Sequence, residues 1–120
     1  MHGLGELEAA VMDVLWRAPE PVKVRDVLDS LDTGKQLAYT TVLTVLDNLH
    51  RKAWVRRELV GKAYLYEPAI GRAEAATRAL REVLESSGDP ESVLLHFARS
   101  ASERETELLR KALPRKSRKK

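Results

Sequence analysis

Cysteine is absent from the 120 residues. That excludes disulfides, thiolate zinc sites, iron–sulfur clusters and a cysteine nucleophile. Aromatic residues make up only 5%, while charged residues make up 32%. This balance favours helices with solvated charged faces over a β-sandwich. No apolar run approaches the 18 residues that a membrane-spanning helix needs. The opening Met1-His2-Gly3-Leu4-Gly5-Glu6 has neither the charged nor the apolar region of a signal peptide, and His2 stands where myristoylation needs glycine. A cytoplasmic location is the expectation.

Catalytic patterns are missing too. His2, His50 and His96 have no metal-ligand spacing. No G-x-S-x-G, P-loop or G-x-G-x-x-G occurs. The expectation is a protein that is not an enzyme, with no catalytic residue, no metal site and no cofactor.

What is present is unevenly charged. Residues 1–70 hold 9 Lys and Arg against 10 Asp and Glu, whereas residues 71–120 hold 12 against 8. Five of those 12 bases lie in Arg115-Lys116-Ser117-Arg118-Lys119-Lys120, so the overall +3 is a property of the tail. Length suggests one domain, or one domain with a small appendage.

Hydrophobic periodicity organises the first 70 residues. Leu7, Val11, Val14 and Leu15 line one face of a helix that Ala18-Pro19-Glu20-Pro21 ends. Val24, Val27, Leu28 and Leu31 repeat the pattern, and Asp32-Thr33-Gly34 closes that second helix with Gly34 as a left-handed cap. A third helix, from about 38 to 52, carries Val42, Val45, Leu46 and Leu49 inward, with His50 as an edge packing residue. Two β segments follow, 55–60 and 63–67. Gly61-Lys62 between them suits a type II′ turn. A lone hairpin is not stable, so it must lie against the helices. Three helices and a hairpin make a winged helix-turn-helix. Tyr64 and Tyr66 point the same way and are read as core.

The third helix has a costly polar face. Thr40, Thr41, Thr44, Asp47, Asn48 and Arg51 share it, although threonine is a mediocre helix former. In a helix-turn-helix this element enters the major groove. Threonine, asparagine and arginine can all meet base edges there. Thr41, Thr44, Asn48 and Arg51 are the base-edge candidates, joined by Tyr39 and Thr40 as further DNA contacts. Tyr39 can equally pack beneath the helix start. Lys23, Arg25, Arg56 and Lys62 are the phosphate candidates. Arg56 and Arg57 alternate along a strand, so at most one of them faces DNA well.

Beyond residue 70 the pattern is helical. Asp89-Pro90 reads as an N-cap and first helical position, and Ser102-Glu103-Arg104-Glu105 as a capping box. Three helices of about 12–16 residues are marginal alone. Their apolar stripes exceed what they need for one another. They should pack on the first domain or on a second copy of the chain; a homodimer built by Leu80, Val83, Leu84, Val93, Leu94, Phe97, Leu108, Leu109 and Leu113 is the expectation, since symmetric oligomers are common. The domains read as a winged helix-turn-helix over 1–70, a helical dimerisation domain over 71–114 and a basic tail over 115–120. The fold class is mainly α with a small β-hairpin.

Val11-Met12-Asp13-Val14-Leu15-Trp16, Ala38-Tyr39-Thr40-Thr41-Val42-Leu43-Thr44-Val45-Leu46 and the hairpin ending Tyr64-Leu65-Tyr66-Glu67-Pro68 resemble the penicillinase-repressor (BlaI/MecI) family. So do Gly5-Glu6-Leu7-Glu8, Leu49-His50-Arg51-Lys52 and Leu94-Leu95-His96-Phe97. The resemblance implies a bacterial repressor that binds palindromic operator DNA as a homodimer and controls β-lactam-response genes. It implies relief by proteolysis, prompted by a membrane-bound sensor protease, with His96 and Phe97 at the cut site. Here His96 stands where well-known members have asparagine, and Lys23 stands where many have threonine or serine. Copper-responsive relatives carry a cysteine motif that this chain lacks. Two other readings remain open: a ligand-responsive winged-helix regulator, and a winged helix that binds protein partners.

Overall fold

The computed structural model describes residues 3–31 and 36–114. The expected cap at Gly34 and the basic tail lie outside the described residues. In chain order the elements are α1 (Glu6–Arg17), α2 (Val24–Ser30), α3 (Tyr39–Arg51), β1 (Val55–Val60), β2 (Ala63–Pro68), α4 (Arg72–Ser86), α5 (Pro90–Ser100) and α6 (Glu103–Ala112). This is a winged helix-turn-helix followed by a helical region.

One core holds the first three helices and the hairpin together. Met12 and Leu15 of α1, Val27 of α2, Leu46 and Leu49 of α3 and Tyr66 of β2 meet in it, all essentially inaccessible to water. No polar or charged residue is buried among the described residues apart from the Tyr66 phenol. The hairpin is antiparallel, with Arg57 opposite Tyr66 and Leu59 opposite Tyr64. A third strand position, unseen in the sequence, completes it. Val22 N donates to Tyr66 O at 2.9 Å, and Tyr66 N donates to Val22 O at 2.7 Å. A single bridging residue just after a proline leaves no alternating pattern to read.

The helix ends follow capping chemistry. Ser102 Oγ accepts from Glu105 N at 3.0 Å, while Ser102 N donates to Glu105 Oε1 at 2.9 Å. Asp89 Oδ1 accepts from Ser92 N at 3.2 Å. Lys23 offers α2 no acceptor; instead Asp26 reaches back to accept from Lys23 N at 3.0 Å. The end of α3 is less regular. Trp54 N donates to Leu49 O and Ala53 N to His50 O, the paired bonds of a Schellman motif. That motif places Ala53 at φ 67°. An alanine there carries a Cβ penalty that glycine lacks. Ala53→Gly is expected to stabilise the fold by about 1 kcal/mol, seen as a higher denaturant midpoint at unchanged slope.

The chain divides into two compact units, with the boundary between Leu80 and Arg81, inside α4. The first unit keeps the start of α4 for identifiable reasons. Ala75 is fully buried. Trp16 Nε1 donates to Ile70 O at 2.9 Å, Arg72 Nη2 pairs with Asp13 Oδ1 at 2.9 Å, and the Arg72 guanidinium lies 5.0 Å from the Trp16 ring centre. In the second unit, α5 and α6 bury no residue at all. They have 11 and 10 residues, shorter than the periodicity suggested, and α4 has 15.

Candidate nucleic-acid interface

Helix α3 presents two unlike faces because its apolar residues recur every three to four positions. Val42, Leu46 and Leu49 are buried. Thr40, Thr41, Thr44 and Arg51 are exposed, while Asp47 and Asn48 are partly covered. Thr44 Oγ1 donates to Thr40 O at 2.9 Å, so its proton is held by the helix. Arg51 Nη2 donates to Asn48 Oδ1 at 2.8 Å. The two side chains are thus mutually oriented on one stretch of surface. A bidentate Asn48–adenine contact needs that same carbonyl oxygen, so it requires Arg51 to share or release it.

The start of α3 differs from every other helix start in the described residues. Its N-cap is Ala38, which has no side-chain acceptor, and its first turn contains no acid. The other five helices all carry Asp or Glu in their first turn. The positive end of the α3 dipole is therefore left uncompensated, as suits an approaching phosphate. Tyr39, at that end, does not pack underneath the helix. It is 44% exposed, and the Arg25 guanidinium lies 5.6 Å from its ring centre. Lys23 and Arg25 are both exposed on the neighbouring α2 segment.

The wing supplies the third part. Lys62 is exposed at the hairpin tip beside Gly61, whose φ of 66° is the left-handed value the turn requires. Lys23, Arg25, Arg51 and Lys62 have no acidic partner among the described residues. Arg56 and Arg57 fall on opposite faces of β1, as strand alternation demands. Arg56 is exposed and lies 3.5 Å from Glu67, its register partner. Arg57 instead faces α3, where Nη1 meets Asp47 Oδ1 at 2.9 Å. The two tyrosines also part company. Tyr66 is buried, but Tyr64 is 38% exposed and so is not the core residue the strand pattern suggested. It sits at the outer end of the hairpin, beyond the reach of the helices' apolar faces. His50 is likewise exposed rather than packed at an edge.

Lys52, basic and next to this surface, is occupied elsewhere. Its Nζ lies 2.8 Å from Glu8 Oε1 and 3.0 Å from Oε2, tying the end of α3 to the start of α1. Burial alone would raise the Glu8 carboxyl. The Lys52 hydrogen bond, the Gly5 N–H and the ammonium charge outweigh that and hold it below its ordinary value. A carboxyl depressed in the fold contributes stability that is present above its unfolded value and lost as pH falls through the folded one. Stability is thus expected to drop on acidification below about pH 4. In Glu8→Gln, urea denaturation across that range should show a shallower slope with pH. The slope should not vanish, because Asp89, held down by its Ser92 hydrogen bonds, and Asp13, held down first by Arg72, titrate alongside.

The residues expected to dimerise are at the surface. Leu80, Leu94, Phe97 and Leu113 are each more than half exposed. Val83, Val93, Leu108 and Leu109 are also exposed, and Leu84 is partly covered. Leu95, absent from the expected set, is 49% exposed beside them. His96 is exposed too. No cluster of His, Asp and Glu among the described residues is arranged to hold a metal ion. No helix among them is long and apolar enough to cross a membrane.

Residues 4–115 match the penicillinase repressor family model. The chain belongs to the penicillinase repressor family. A transcriptional regulator BlaI of Mycobacterium tuberculosis, strain CDC 1551 / Oshkosh, is 41% identical over 113 residues, spanning 92% of this chain and 82% of that protein. The same regulator in strain H37Rv matches equally. Membership in the penicillinase repressor family makes this chain a transcriptional repressor and not an enzyme.

Proposed function

We propose that the chain binds palindromic operator DNA as a homodimer in the cytoplasm. In this reading residues 1–70 carry the reading head, residues 71–114 carry the dimer and residues 115–120 form a basic tail. The observation that carries the DNA reading is the α3 surface. An exposed Thr-rich face begins at an uncapped, acid-free helix start and is flanked by Lys23, Arg25 and Lys62, none with an acidic partner among the described residues. Thr41, Thr44, Asn48 and Arg51 read base edges, with Tyr39 and Thr40 at the entry to the groove. Lys23, Arg25 and Lys62 take phosphates, and Arg56 does so only by leaving Glu67. Phosphate contacts release counterions, so affinity falls by about 0.9 per contact in log units for each decade of salt. Operator affinity measured at several salt concentrations should fall steeply. A flat response would contradict the DNA reading.

The dimer reading rests on α5 and α6, which expose leucine, valine and phenylalanine and bury none of them within the single chain. Leu80, Val83, Leu84, Val93, Leu94, Phe97, Leu108, Leu109 and Leu113 form the proposed interface. Control of β-lactam-response genes, with relief by cleavage between His96 and Phe97, is part of the same proposal; family membership and the place of that bond support it. Cutting α5 there separates α6 and its leucines from the reading head. A membrane-bound sensor protease acting indirectly is the proposed trigger. After β-lactam induction of the host, intact-mass measurement should show the chain divided after His96. Derepression with an uncut chain would reject proteolysis.

A further inference from the structure

The side of the hairpin that turns toward α3 carries an arrangement that neither base reading nor phosphate binding explains. Arg57 leaves β1 on the same face as Val55 and Leu59. Its guanidinium meets Asp47 Oδ1 of α3 at 2.9 Å and lies 4.3 Å from the centre of the Tyr64 ring on β2. One side chain therefore links β1, β2 and the reading helix. Only a quarter of it is exposed, the least of any arginine in an ion pair among the described residues. Beneath it the Tyr66 hydroxyl is buried with no partner in hydrogen-bond geometry. Burial pushes that phenol above its ordinary value, while the nearby Arg57 charge pulls it the other way. The same guanidinium thus acts on both Asp47 and Tyr66.

Asp47 is the only acid in α3. It lies one residue before Asn48, on the face proposed to approach DNA. An unpaired carboxylate there would repel phosphates over the roughly 8 Å range of charge interactions at physiological salt. A planar guanidinium that pairs with a carboxylate while stacking on an aromatic ring is a rigid link, which a lysine would not reproduce.

We infer that Arg57 is a positioning residue for operator recognition: it neutralises Asp47 and latches the wing to α3 without itself touching DNA. The inference rests on the reading of α3 and the wing as the DNA surface. It assigns Arg57 a role different from that of its neighbour Arg56, Lys62 or any phosphate-binding base.

A double-variant cycle in the full chain tests it. Operator affinity is measured across a salt series for the wild type, Arg57→Gln, Asp47→Asn and the double variant. Arg57→Gln should lose about tenfold, because Asp47 is left unpaired. The double variant should lie within about threefold of Asp47→Asn, because no charge remains to neutralise and only the stacking on Tyr64 is lost. The loss in Arg57→Gln should shrink as salt rises, since salt screens the unpaired carboxylate, while the double variant should keep the salt slope of Asp47→Asn. A direct phosphate contact would lower that slope by about one on loss of Arg57 in the Asp47→Asn background, and the tenfold loss would persist there. Either result, or an unchanged affinity in Arg57→Gln, overturns the assignment. If Arg57→Gln does not fold, Tyr64→Leu decides: it removes the stacking partner, and affinity should fall about threefold at unchanged salt slope. Unchanged affinity in Tyr64→Leu then overturns the assignment. A wild type that fails to bind operator at all refutes the DNA reading itself, a result separate from an additive cycle in a chain that binds.

Discussion

Ending the chain after Leu80 is expected to leave a folded monomer whose operator affinity is about 10²–10⁴-fold below that of the full chain. The fold should survive because the first compact unit is self-sufficient. Its core joins α1, α2, α3, β1 and β2. The buried Ala75 and the Arg72–Asp13 pair are both retained. A cut after residue 70 would discard both and expose part of the α1 surface, so it is the poorer boundary for this experiment. The affinity should fall because one head bound to a half-site no longer raises the effective concentration of a second head at the other half-site. Sedimentation and operator titration of the two proteins check the two halves of the claim. A truncated chain that binds as tightly as the full one would remove the reason for a dimer.

Replacing Arg51 by alanine should weaken operator binding by about 1–3 kcal/mol and relax the preference at one base pair. Arg51 is exposed on the reading face and has no acidic partner among the described residues, so little of that loss can come from the fold. The Asn48 effect should be coupled to it. The two side chains share a 2.8 Å hydrogen bond, and the double variant is expected to lose less than the sum of the single losses. Replacing Lys62 should behave differently. It should weaken all duplexes alike and lower the salt slope by about one. Binding assays on the operator and on a scrambled duplex separate the two behaviours. Normal operator binding by Thr41→Ala, Asn48→Ala and Arg51→Ala together would show the α3 face to be merely solvated.

The elements that could be read from the sequence are those whose stability is local. The apolar stripes at Val11–Leu15 and Val42–Leu49 declare their helices, because one buried face repeats every turn. Ser102 and Glu105 declare the α6 start, and Gly61-Lys62 the turn. What escaped reading depends on partners distant in sequence. Val22 joins the sheet through two backbone bonds to Tyr66, far along the chain, and no pattern marks a single bridging residue. Ala53 adopts a glycine conformation without being glycine, so the end of α3 gives no composition signal. Strand alternation separates Arg56 from Arg57, but only the register and the position of Asp47 tell which of them faces α3. Tyr64 and Tyr66 share a face and differ in burial because the core ends between them.

The basic tail also shows how composition can mislead. It supplies the whole positive excess of the chain, yet the surface proposed to read DNA belongs to a near-neutral segment. There the useful quantity is the absence of acids. The α3 start has none, and the single acid further along is answered by Arg57. Local pairing, more than net charge, decides whether a face can approach phosphates.

Selection of bound duplexes from a random-sequence pool by the full chain tests the central claim most directly, since the protein itself picks out its site. A homodimer that reads DNA with two copies of α3 should enrich a two-fold symmetric site. Its half-sites should be separated by one helical turn or a multiple, about 10–10.5 base pairs each. Enrichment of an asymmetric site, or no enrichment over the starting pool, would contradict the account.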